Sequence, residues 1–159
     1  MNNDVRLIRV LRYSMLAVLV FFAVRTQTGN KISSAPFSSV VQGVTNICTF
    51  STEPSENRMV RRLYGLNVSD YDQVVLYSPT SNMDVYELLI VKLRDVSQSE
   101  SVVAAMKSRL QTQLDSFEGY GVEQTRLLQD SVLQAEGNYV MFLVHPKATA
   151  GLQAFKSCL

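Results

Sequence analysis

Residues 13–24, YSMLAVLVFFAV, carry no charge and follow a segment in which Arg6, Arg9 and Arg12 stand against a single acid, Asp4. A basic flank leading into an unbroken apolar run is the pattern of a membrane boundary. As a helix the 12 residues of the run reach about 18 Å, short of the roughly 30 Å hydrocarbon core. That length alone suits the apolar region of a secretory signal, commonly about 7–15 residues. A spanning helix results if residues 7–24 form the segment, with Arg9, Arg12 and Arg25 snorkelling toward head groups. The stretch that follows, RTQTGNKISSAP, offers no Ala-x-Ala cleavage pattern. Ser33-Ser34-Ala35 comes nearest, but it lies far downstream and precedes Pro36. Cys48 is too distant to be the lipidated residue of a lipobox. The expectation is an uncleaved N-terminal anchor helix, with secretion after cleavage or a buried helix of a soluble protein as alternatives. Three Arg before the run, against Arg25 and Lys31 after it, predict a cytoplasmic N-terminus and an extracytoplasmic domain.

That run also reorganises the composition. The chain has 159 residues and a formal net charge of +1. Residues 1–31 hold five basic residues and one acid, which leaves ten Lys+Arg against 13 Asp+Glu, a net of −3, in residues 32–159. We divide the chain into a signal or anchor segment with the start of a linker, 1–31, and one α+β domain, 32–159. The domain has no basic stripe of the kind that binds nucleic acid. With 47% hydrophobic and 18% charged residues, the chain is also neither disordered nor fibrous.

Within the domain, Pro36 can start a helix in which Phe37, Val40, Val41, Val44, Ile47 and Cys48 recur at helical spacing up to Phe50. A second helix over 54–64 places Met59, Val60, Leu63 and Tyr64 on one side, Arg58, Arg61 and Arg62 mostly on the other, and Gly65 at its left-handed end. QVVLY (73–77) and VYELLIVKL (85–93) read as an antiparallel pair of strands. Ser97 and Glu100 match a capping box ahead of a long helix whose Val103, Met106, Leu110, Leu114 and Phe117 share a face and which ends near Gly119. Residues 120–128 fit either a short helix or a loop. Residues 131–135 and 138–144 form a hairpin turning through Glu136-Gly137, and the second strand stops near His145-Pro146. A terminal helix over 148–158 carries Leu152 and Phe155 inward. The expected fold is α+β: a mainly antiparallel sheet of about four strands covered by helices, preceded by the N-terminal membrane anchor helix.

The succession RRLYGLNVSDYDQVVLYSP, YELLIVKLRDVSQSESV, RLQTQLDSFEGY and EGNYVMFLV resembles the bacterial domain of unknown function DUF4358. The matching features are Leu63-Tyr64-Gly65, the strand containing Glu87, residues 92–98, Arg109 with Gln113, Tyr120, and Gly137-Asn138-Tyr139-Val140, over roughly 37–144. The resemblance implies a small membrane-anchored or lipoprotein-like extracytoplasmic protein, of a kind best known from Firmicutes. It implies no catalytic residue. The missing lipobox cysteine departs from the lipoprotein members and leaves the apolar run as the anchor.

No catalytic, cofactor-binding or metal-binding constellation stands out. His145 is the single histidine and no Gly-x-Ser-x-Gly elbow accompanies it, so it reads as a strand-end imidazole bonded to backbone or water. Cys48, Cys158 and His145 lack the close pairing of zinc ligands, and the two cysteines read as unpaired thiols, with a disulfide as the alternative. Asp70 and Asp72, near Asn67 and Ser69, read as turn and helix caps, against a weaker reading as calcium ligands joined by Asp84 and Glu87. Arg58, Arg61 and Arg62 read as a solvated helix face paired with Glu53 and Glu56, against contact with anionic lipid or wall polymer. The expectation is a membrane-tethered, non-enzymatic, cofactor-free module that meets an envelope protein or polymer. Its candidate ligand or partner surface gathers Tyr64, Glu87, Gln113 and Tyr120. The alternative is an envelope accessory enzyme or hydrolase using Asp70, Asp72 or Glu87.

Overall fold

Each of two hairpins contributes an edge strand first and a central strand second, and this order explains where the apolar runs fall. A computed structural model describes residues 32–159, and in it β1 (Gln73–Tyr77) pairs with β2 (Glu87–Lys92) and β3 (Val132–Glu136) with β4 (Tyr139–Val144). The sheet order is β1-β2-β4-β3, antiparallel throughout. The central strands ELLIVK and YVMFLV are near-continuous apolar runs because helices cover both of their faces. The flanking QVVLY and VLQAE are only partly buried. The α+β fold with four antiparallel strands is as the sequence implies; the anchor helix falls in residues 1–31 and lies outside the described residues. No helix among the described residues is long and apolar enough to cross a membrane.

Five α-helices accompany the strands among the described residues: α1 (Phe37–Thr45), α2 (Asn57–Tyr64), α3 (Ser99–Phe117), α4 (Val122–Gln129) and α5 (Ala148–Ser157). The two-residue period of the strands sorts them into two layers. Leu89 and Val91 of β2 and Val140, Phe142 and Val144 of β4 point to one side, where Val60, Val102, Met106, Phe117 and Leu128 of α2, α3 and α4 pack. Leu88, Ile90, Tyr139, Met141 and Leu143 point to the other, against Val40 and Val44 of α1, Cys48, and Ala148 and Phe155 of α5.

Several boundaries differ from the sequence reading for local reasons. The first helix stops at Thr45 instead of running to Phe50, and a turn carries Cys48 into the core. The second begins at Asn57, not at 54, because Ser55 donates its N–H to Leu76 O at the edge of β1. Its C-cap is Gly65 at φ 69°, the left-handed conformation glycine adopts without strain, with Leu66 buried behind it. The capping box lies two residues earlier than Ser97 and Glu100: Asp95 accepts from Ser97 N, and Gln98 Oε1 accepts from Asp95 N, around a 3-10 turn at Val96–Gln98. Residues 122–129 resolve as helix. The second hairpin turns through Gly137-Asn138, one residue later than expected, since Glu136 pairs directly with Tyr139. Gly137 supplies the positive φ, 56°.

Candidate functional site

Glu87 is the only acid of β2 and its first residue, with the half-buried Lys92 at the other end, and its position in the pleat sends it to the same side as Leu89 and Val91. It is fully buried. A buried carboxylate is costly unless it is paired and bonded, and here three side chains meet that need. Tyr64, in the last turn of α2, donates its hydroxyl to Glu87 Oε1 at 2.6 Å. Arg109 Nη2 donates to Oε2 at 3.0 Å, and its Nε reaches both oxygens at 3.3 Å. Gln113 Nε2 donates to Oε2 at 2.9 Å. Arg109 and Gln113 are four residues apart on α3, so they stand on one face of the helix, one turn apart, above the same carboxylate.

Burial raises the Tyr64 hydroxyl well above its usual range, and the Glu87 carboxylate pushes the same way against a smaller pull from Arg109. Tyr64 therefore stays protonated and serves as a donor. A carboxylate offers about four acceptor positions, and the three donors occupy that capacity. Because a carboxylate only accepts, the Gln113 amide turns its nitrogen to Glu87. Its Oε1 is then left without a hydrogen-bond partner among the described residues.

Arg109 and Gln113 also line a cleft of about 440 Å³, within the usual range for small-molecule sites. Met59 and Leu63 of α2 form one wall, the loop from Ser78 to Asp84 another, and Ser116, Phe117 and Tyr120 a third. The loop is held by Asp84, whose Oδ2 accepts from Thr80 N and Oγ1 and whose Oδ1 accepts from Tyr86 N. Of the four residues expected to form a ligand or partner surface, Tyr64, Glu87 and Gln113 meet, but Tyr64 and Glu87 are buried beneath the cleft and do not line it; Gln113 lines it, and Tyr120 stands at the rim, 62% exposed and tilted on Phe117. Arg109 was part of the family resemblance but not of the expected surface. A lone acid inside an apolar strand demands a cation, and Arg109, one turn from Gln113, is where that demand is met.

The three carboxylates of the hydrolase reading do not come together. Asp72 pairs with Lys92 at 3.2 Å, at the opposite end of β2 from Glu87, five residues and roughly 17 Å away. Asp70 Oδ1 accepts from Asn67 in the turn before β1. His145 is buried between Phe50 and Tyr86, its Nδ1 accepts from Lys147 N, and burial lowers its pKa. Cys48 and Cys158 are free thiols, and burial raises the pKa of Cys48. Arg58 pairs with Glu56 at 3.0 Å on an exposed face that also carries Arg61 and Arg62.

Residues 49–145 match the family model described as a domain of unknown function, DUF4358, and since the match covers more than half of the chain, the protein belongs to that family. No curated protein and no solved structure matches it.

Proposed function

We propose that this DUF4358 protein is a membrane-tethered, extracytoplasmic binding module of the cell envelope. It holds a ligand in the cleft above Glu87 and catalyses no reaction. One observation carries the reading: the chain joins the domain at the end of the sheet opposite the cleft. Ser33 donates N–H to Asn138 Oδ1 at 2.8 Å and its hydroxyl to Leu159 O, and Tyr139 donates its hydroxyl to Ala35 O. Tyr139 pairs with Lys92, whereas the cleft lies beyond Glu87 and Ser78 at the other end of β2 and β1. The segment from Ser33 to Ala35 is thus fastened away from the cleft, which is left open to a ligand. The basic flank, the apolar run 13–24 and the family resemblance supply the membrane and the outer face of this reading.

The non-catalytic part rests on Glu87. A general base needs a free lone pair and a nucleophile needs an open approach, and Glu87 has three donors around it and no exposed surface. Protease added to intact cells tests the placement. The domain is expected to be degraded while a cytoplasmic control survives, and to co-fractionate with membrane. A domain protected from protease, or one recovered in the soluble fraction, overturns the tethered reading.

A further inference from the structure

The cleft continues past Tyr120 into a second depression of about 410 Å³ along α4, bordered by Val122, Thr125 and Arg126, with Tyr120 and Phe117 belonging to both. An aromatic ring exposed at the junction of two depressions can carry the apolar face of a ligand that extends into each.

The floor specifies polarity. Gln113 is only 5% exposed, and its Oε1, itself buried, lacks a donor among the described residues, a costly state for an acceptor that a ligand relieves by drawing the amide toward the cleft. One turn away, Arg109 commits Nε and Nη2 to Glu87, and Nη1 takes no part in those bonds. The floor therefore asks for a group that donates to an amide oxygen and accepts from a guanidinium within one helical turn. A hydroxyl does both at once, and two vicinal hydroxyls do so with room to adjust. The walls agree: the Ser81 hydroxyl accepts from Met83 N and keeps its proton free, while Thr80 gives its proton to Asp84 and retains lone pairs.

Charge and shape narrow the class. Arg109 is neutralised by Glu87, so the floor does not call for a strong anion; Asp84 keeps its charge, but both its oxygens are turned to the loop, accepting from Thr80 and Tyr86. An extended peptide finds no ladder to join, because the chain leaves β1 at Ser78 and the Leu76 carbonyl already accepts from Ser55.

We propose that the cleft binds a neutral saccharide, with one ring against Tyr120 and the hydroxyls of a neighbouring ring donating to Gln113 Oε1 and accepting from Arg109 Nη1. The assignment rests on the cleft being the binding site of the preceding section and names its ligand class. The test is a titration of the full chain in detergent micelles with cellobiose, maltose and N,N′-diacetylchitobiose, following the Gln113 side-chain amide by ¹H–¹⁵N NMR. At least one disaccharide is expected to shift that resonance saturably. Tyr120→Ala should weaken binding about tenfold and Tyr120→Phe should preserve it, since stacking uses the ring and not the hydroxyl. The hexasaccharide of the same series binding more tightly than the disaccharide marks a polymer as the source, and equal affinity marks a free sugar; both support the class. Failure of every disaccharide to move the Gln113 amide, or equal binding by Tyr120→Ala, overturns it. Sedimentation with purified envelope fragments separates this failure from that of the parent reading. Fragments that retain the protein and release Tyr120→Ala, with the disaccharides inert, leave a binding module with a different ligand. Fragments that never retain it remove both.

Discussion

The two faces of the central sheet solve the problem of burial in different ways. One face, formed by β2 and β4 with α1 and α5, is dry and close-packed. Val40, Val44, Cys48, Leu88, Ile90, Met141, Leu143 and Phe155 are fully buried, and helix meets strand so closely that glycine sits at the contact. A β-carbon on Gly151 would lie 2.5 Å from Leu143 Cδ2 and 2.9 Å from Cys48 Sγ. The other face packs α2, α3 and α4 over an equally apolar set of strand residues, but places Glu87, Arg109, Gln113 and Tyr64 among them and leaves a cleft above. The family match from 49 to 145 takes in the helices of the polar face and excludes α1 and α5. The dry face holds the domain together by shape, while the polar face accepts a desolvation cost to hold two side chains of α3 at the floor of a cleft.

The sharpest way to break this contrast is to remove the charge at its centre. Glu87→Ala leaves Arg109, a mostly buried side chain at the cleft floor, without its counter-ion, and a loss of about 3 kcal/mol in denaturant unfolding is expected. Replacing Glu87, Arg109 and Gln113 together by Leu should recover most of that loss, because an apolar set of similar volume is often as stable as the ion pair it replaces. If the triple variant is as unstable as the single one, the polar network stabilises the fold on balance and the two faces are alike in holding the domain together.

On the dry face the corresponding perturbation is overpacking. Gly151→Val should cost about 1–3 kcal/mol by pushing α5 away from Leu143, measured by the same unfolding curves. No loss would mean that the helix and sheet there are loosely fitted. A smaller effect comes from His145, which follows β4 and stacks on Phe50 and Tyr86. Burial holds its pKa below the usual value near 6.5, so the unfolded chain binds the proton more readily. Stability should therefore be complete above about pH 6.5 and decline as pH falls through the lowered folded value, and His145→Gln should flatten that part of the curve. Least perturbing of all is thiol labelling of the native protein. Cys158, half-buried, should alkylate before Cys48, which is fully buried with a raised pKa, and both should label without reductant after unfolding. Resistance of either thiol under those conditions would show a bond between them.

The sequence expressed the apolar framework of both faces more openly than the polar cluster set into one of them. The apolar runs 85–93 and 138–144, which form the somewhat shorter β2 and β4, Phe155 in the last helix and Gly65 after Tyr64 are local signals, read by period and by backbone permissiveness. The start of α2 was misjudged because Ser55 is claimed by the edge of β1, a partner local patterns do not display, and the capping box because Asp95 and Gln98 compete with Ser97 and Glu100 for that role while the distant Asp70 carbonyl holds Gln98 in place. In the site, Glu87 was legible as an acid in an apolar strand, and Gln113 as part of a helix face. Their meeting with Tyr64 was not, since 23 to 26 residues of chain separate the partners. Tyr120 was placed with them, but it lies past the end of α3, where Gly119 turns the chain with φ 84°, and so reaches only the rim.

The bonds that fasten Ser33 and Ala35 to Asn138, Leu159 and Tyr139 also fix how the domain would carry mechanical load. A pull between that end and an occupied cleft runs along β2 and β4 instead of across them. The hydrogen bonds of an antiparallel ladder lie perpendicular to the strands, so such a force must shear the whole β2–β4 register together and cannot peel it open one pair at a time.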